Sequence, residues 1–172
     1  MSSMQPCFTG NYEHSLDDKG RVIVPAKIRE QVLSQGLGQG EGFIVTPSPD
    51  GCLFLYTPKE WEKIGAQLAS QPRGRADLRK FQRRFFSMAD YVKLDSQGRI
   101  LIPERLRSKF GIEKDVVFAG SFDRVEVWAA AAWRAQEEDD EGYEDQFEVF
   151  LGGPEPTHRD EFGAAGDSPA AL

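Results

Sequence analysis

The sequence predicts an α+β protein in which two related halves share one β core. Three observations carry this. Residues 16–29 recur as residues 94–107, with Leu, Asp, Gly, Arg, Pro and the closing Arg identical in both copies. Each copy is followed by the same order of apolar runs and a tryptophan-bearing helix, at Trp61 and at Trp133. The apolar runs are short, and each half is too small to bury its strands alone. Self-similarity of this kind dictates architecture and is read first.

The elements follow in order. Residues 1–6 are read as unstructured. Residues 7–16 hold a first strand anchored by Phe8 and Tyr12. His14 has no partner cluster and is read as a strand residue rather than a ligand. The turn Asp17-Asp18-Lys19-Gly20 places Asp where turns favour it and Gly where φ can be positive. Val22-Ile23-Val24 is too short for a helix and apt for a buried strand. Pro25 suits a first helical position, where its missing donor would be orphaned anyway. Ile28 and Val32 give that helix an apolar face, and Gly36 is a plausible stop. The Gly-rich stretch 35–42 lacks the Gly-Lys-Ser/Thr ending of a phosphate loop and reads as a connection. Phe43-Ile44-Val45 and Cys52-Leu53-Phe54-Leu55-Tyr56 read as strands around the turn Pro49-Asp50-Gly51. Thr57-Pro58-Lys59-Glu60 is a capping box opening a helix with Trp61, Ile64 and Leu68 on one face.

Between the halves, Arg73, Arg75, Arg79, Lys80, Arg83 and Arg84 face only Asp77. Leu78, Phe81 and Phe85 recur at helical spacing, so the segment is an amphipathic helix with a basic face. That face is read either as solvated or subunit-contacting, or as a contact for phosphate. The second half replays the first: turn Asp95-Ser96-Gln97-Gly98, strand Ile100-Leu101-Ile102, Pro103, the pair Leu106 and Phe110, a stop at Gly111. Strands Val116-Val117-Phe118 and Val125-Glu126-Val127-Trp128 then flank the turn Phe122-Asp123-Arg124. Trp61 and Trp133 are read as core. Past Arg134 the chain becomes acidic, and after Gly152 its Gly, Pro, Ala and acidic content predicts disorder. The expected organisation is a first half over 7–72, a basic connecting helix over 73–90, a second half over 91–136 and an acidic tail over 137–172.

A net charge of −7 argues against nucleic acid only on average. Residues 1–110 carry 17 Lys/Arg and 12 Asp/Glu, whereas residues 111–172 carry 4 and 16. Charges more than about 10 Å apart are largely screened at 0.1 M salt, so a basic face and an acidic tail can coexist. Cys7 and Cys52 make neither a disulfide framework nor a zinc site, and a reducing cytoplasm is the expected setting. No apolar run approaches membrane-spanning length.

The polar residues of the repeat suggest function. Lys19 and Arg21 project from the first turn, Gln97 and Arg99 from the second. Asp17 and Asp95 stand four residues before each arginine, close enough to hold the guanidinium across a tight turn. A planar, permanently charged fork suits bidentate contact with guanine or phosphate. The plainer reading is a surface turn that an Asp–Arg pair merely closes. No Ser/His/Asp or Cys/His set presents itself, and two distant histidines offer little general-base chemistry, so no catalytic residue, cofactor or metal is expected.

These residues resemble the MraZ family of bacterial transcriptional regulators, within the AbrB/MazE-like swapped-hairpin superfamily. The likeness covers residues 7–136. It rests on two Asp-x-x-x-Arg motifs, Asp17/Arg21 and Asp95/Arg99, and on Phe81-Gln82-Arg83-Arg84-Phe85-Phe86-Ser87 between the halves. The resemblance implies two AbrB-like halves intertwined as a double-split β-barrel with peripheral helices. It implies a homo-oligomeric ring and sequence-specific binding of double-stranded DNA, at short direct repeats upstream of the regulator's own division and cell-wall operon. The protein would then be cytoplasmic and associated with the nucleoid. Arg21, Arg99, Lys19 and Gln97 would contact DNA, Asp17 and Asp95 would orient the arginines, and Arg83 and Arg84 would touch phosphate. The competing expectation is an AbrB-like interaction module or antidote that binds a protein partner, with the acidic tail as the binding segment.

Overall fold

The computed structural model describes residues 7–36, 41–72, 74–139 and 142–152. Residues 1–6, 37–40 of the Gly-rich stretch, Arg73, Asp140, Glu141 and the tail beyond Gly152 lie outside the described residues, so the disorder expected at either end lies there too. The chain divides into two compact units, 1–138 and 139–172.

In the first unit, the first half supplies β1 (Asn11–Ser15), β2 (Arg21–Ile23), α1 (Ala26–Ser34), β3 (Phe43–Pro47), β4 (Leu53–Tyr56) and α2 (Pro58–Ala69). α3 (Ala76–Ser87) follows. The second half repeats the order with β5 (Asp90–Val92), β6 (Arg99–Leu101), α4 (Glu104–Lys109), β7 (Asp115–Ser121), β8 (Arg124–Ala129) and α5 (Ala130–Glu138). The second unit contains α6 (Tyr143–Leu151), an element for which the acidic composition gave no cue.

A six-stranded antiparallel sheet runs in the order β1-β7-β8-β4-β3-β5, and β2 pairs with β6 in a separate ribbon. The order is symmetric about its centre. β1 of the first half lies on β7 of the second, with Asn11 opposite Ala119, and β5 of the second lies on β3 of the first, with Phe43 opposite Val92. Each half thus completes the other's sheet, which is why neither could close a core alone.

The local signals act as physical chemistry dictates. Thr57 Oγ1 accepts from Glu60 N at 3.3 Å, and Pro58 opens α2. One face of the sheet packs Val45, Leu55, Val116, Phe118, Val125 and Val127 against the ribbon's Val22 and Ile100 and the helical Ile28 and Leu106. The other face carries Phe54, Tyr56, Val117 and Trp128, covered by Trp61, Ile64 and Trp133. Both outlying tryptophans therefore belong to packing. Phe8, 1% exposed, is pinned by backbone bonds to Phe122 of 2.8 and 3.0 Å.

The ribbon differs from the expected fully buried strand. Val22 and Val24, and Ile100 and Ile102, are buried, while Ile23 and Leu101 between them are exposed. Strand residues alternate faces, and only one face of the ribbon meets the core. Each buried aliphatic contributes about 1.5–3 kcal/mol, against about 0.5–1.5 kcal/mol net per hydrogen bond. Burial, more than a three-pair ladder, holds the ribbon in place.

Candidate functional site

The two repeated turns meet at the ribbon. Arg21 pairs with Leu101, Val22 with Ile100 and Ile23 with Arg99, so both arginines stand on the outer face, diagonally across the central pair. Each turn is closed by its aspartate in the same way. Asp17 N donates to Arg21 O at 2.8 Å and Gly20 N to Asp17 O at 2.9 Å. Asp17 Oδ1 accepts from Lys19 N and Arg21 N at 2.9 and 3.0 Å, and Oδ2 accepts from Arg21 Nε at 2.7 Å. In the second copy Asp95 N donates to Arg99 O and Gly98 N to Asp95 O, both at 2.9 Å. Asp95 Oδ1 accepts from Gln97 N and Arg99 N at 2.9 Å, and Oδ2 from Arg99 Nε at 2.7 Å.

One carboxylate therefore does two things: Oδ1 closes the turn and Oδ2 aims the guanidinium. The plain structural reading and the orienting reading of Asp17 and Asp95 describe the same contacts. Both carboxyls are held below their ordinary value of 3.8. The leading cause is the backbone N–H of Arg21 for Asp17 and of Arg99 for Asp95, with the guanidinium hydrogen bond adding to it. Nε of each arginine is thus engaged by the aspartate of its own turn. The ribbon also brings the halves together electrostatically, with Arg99 Nη1 3.9 Å from Asp17 Oδ2. Lys19 and Gln97 occupy equivalent exposed turn positions.

A second pair of arginines supports the turns from behind. Arg29 on α1 donates Nε to Val24 O at 3.0 Å, and Arg107 donates Nε to Ile102 O at 3.0 Å. Their guanidinium groups cross to the other half's turn. A Cβ on Gly98 would come within 2.7 Å of Arg29, and a Cβ on Gly20 within 2.7 Å of Arg107. These glycines have φ of +73 and +79°, so the left-handed backbone favours Gly, and an added Cβ would also have to displace a guanidinium. The identity of the last repeat arginine pointed at this pair, but only the fold shows that each arginine serves the opposite turn.

Arg83 and Arg84 stand elsewhere, on the exposed face of α3. Arg84 lines a cavity beside β3 and β4 that none of the ribbon's charged residues reaches. His14 sits on β1 edge-on to Phe118 with ring centroids 6.0 Å apart, and partial burial lowers its pKa. Among the described residues, no group of three or more His, Cys, Asp or Glu could hold a metal ion, and no helix is long and apolar enough to cross a membrane.

Sequence relatives put this arrangement among transcriptional regulators. The chain is 45% identical over 126 residues to the "Transcriptional regulator MraZ" of Heliobacterium modesticaldum, covering 73% of this chain and 83% of that one. It is 47% identical over 133 residues to the protein of that name from Acetivibrio thermocellus, covering 77% and 88%. It is 45% identical over 137 residues to the one from Clostridium botulinum strain Eklund 17B, covering 80% and 92%. The profile of the family described as "MraZ protein, putative antitoxin-like" matches twice, over residues 7–84 and 85–150. The chain belongs to the MraZ family.

Proposed function

We propose that the ribbon is a DNA-reading surface and that the protein regulates transcription from short direct repeats upstream of its own operon. The observation that carries this is the meeting of both Asp-aimed guanidinium groups on the outer face of one antiparallel ribbon. A two-stranded ribbon fits the B-DNA major groove, about 12 Å wide, and an arginine fork matches the guanine edge there. Arg21 and Arg99 contact bases, Lys19 and Gln97 add backbone and polar contacts, and Asp17 and Asp95 orient the forks. Arg83 and Arg84 on α3 are a second, outlying phosphate contact. The six-stranded sheet and the ribbon serve as the two parts of a double-split β-barrel in this reading. One subunit offers few base contacts, so a homo-oligomeric ring laid along several repeats supplies affinity through effective concentration. The protein acts in the cytoplasm on the nucleoid.

A gel-shift with the DNA immediately upstream of the gene, against a scrambled duplex and across a salt series, tests this. Preference for the upstream DNA is expected, with affinity falling steeply as salt rises. Arg21→Ala and Arg99→Ala each cost about 1–3 kcal/mol and relax sequence preference. Equal binding of both duplexes by the parent would sink the reading. A second reading, a protein-binding module, draws on Ile23 and Leu101, which leave 46% and 53% of their surface exposed on the same face. Co-purification with a toxin-like partner that competes with DNA would favour it.

A further inference from the structure

α3 and α6 hold counterpart places in the two halves. Each follows the helix that closes its half, α2 or α5, and the two family-profile matches end inside them, at residues 84 and 150. Both carry aromatics one helical turn apart: Phe81 stacks on Phe85 with centroids 5.4 Å apart, and Tyr143 lies 6.4 Å from Phe147. Their charges are opposite. α3 bears Arg79, Lys80, Arg83 and Arg84 against Asp77, whereas α6 bears Glu144, Asp145 and Glu148 and no base.

The aromatic face of α3 is covered in part, with Phe85 stacked on Trp61 of α2 at 5.1 Å. No residue of α3 is buried, and Phe81 is 51% exposed. In α6, Phe147, Phe150 and Leu151 are 52–77% exposed. A helix of nine residues is below the roughly 12–15 needed for even marginal stability in water, so it depends on packing its apolar side. Beside α3 lies a cavity of about 450 Å³ walled by Phe54, Tyr56, Phe81 and Phe85, with Arg84 and Lys109 also lining it. An apolar wall with two cations complements an aromatic helix bearing three carboxylates.

We propose that the acidic aromatic helix α6 of one copy docks into the basic aromatic groove beside α3 of a second copy. Groove and helix are different surfaces of one chain, so the contact is head-to-tail and closes into a ring where the rotation allows. The inference deepens the ring part of the proposed function and rests on it, while base reading by Arg21 and Arg99 stands apart.

Sedimentation of the full chain without DNA tests it. The parent sediments as an assembly of several copies. Phe81→Asp disables the groove, and Phe147→Asp with Phe150→Asp disables the helix. All three positions are exposed, and each variant sediments as a monomer. Mixing the two variants yields a one-to-one pair and nothing larger, because one intact groove meets one intact helix. Charge reversal gives an independent check on milder variants. Glu144→Lys with Asp145→Lys weakens assembly at least tenfold, and adding Arg83→Glu with Arg84→Glu restores it. Parental mass in the helix variant, or no pair on mixing, overturns the docking while leaving the ring reading intact. A monomeric parent overturns both.

Discussion

The two Asp-to-Arg turns are nearly superimposable in their bonding and different in what they display. Every hydrogen bond of Asp17 in the first turn has its partner at Asp95 in the second within 0.1 Å. Yet Asp18 and Lys19 become Ser96 and Gln97, and the Arg21 side chain is 33% exposed where Arg99 is 24%. Arg99 leans toward Asp17 across the ribbon, and no equivalent ion pair joins Arg21 to Asp95 among the described residues. The scaffold is duplicated and the display is not. Closure of the turn needs Asp, Gly and the backbone of Arg, whereas the intervening positions point to solvent and are free to diverge.

The comparison can be broken at its shared centre. Ile100 is 1% exposed and sits opposite Val22, so Ile100→Ala removes core from both turns at once. It should cost about 2–5 kcal/mol in chemical denaturation. A loss below 1 kcal/mol would show that the ribbon is held by something other than burial. The next largest effect lies at the glycines. Gly20→Ala and Gly98→Ala force a side chain into left-handed backbone against the crossing Arg107 and Arg29. Each should cost about 1–3 kcal/mol, read as a lowered melting temperature, and the two should be alike because the buttress is symmetric.

The smallest effect sharpens the difference between the turns. Lys19→Gln should flatten the log–log salt dependence of DNA binding by about 0.9, one phosphate's worth, and Gln97→Lys should steepen it by about the same. Unchanged slopes in both variants would place these positions off the duplex.

Much of this was legible in the sequence because the signals are local. Asp17, Gly20, Arg21 and Pro25 specify their turn, strand and helix start within a few residues, and the second copy repeats them. Thr57 and Pro58 announce α2 in the same way. What stayed hidden depends on partners distant in the chain. The three aliphatics of each ribbon strand read as uniformly buried, and only the pairing of β2 with β6 decides that Ile23 and Leu101 face outward. Arg29 and Arg107 looked like helix residues until the fold set each beside the opposite glycine. α6 was masked because acidic composition outweighed the spacing of Tyr143 and Phe147.

The exchange of outer strands has a bearing on synthesis. β1 leaves the ribosome about a hundred residues before β7, its partner in the sheet. At about 5–20 residues per second, the nascent first half waits several seconds with strand edges unsatisfied. A chain built this way gains its fold only once β7 and β8 have emerged, and its exposure to misassociation is greatest during that interval.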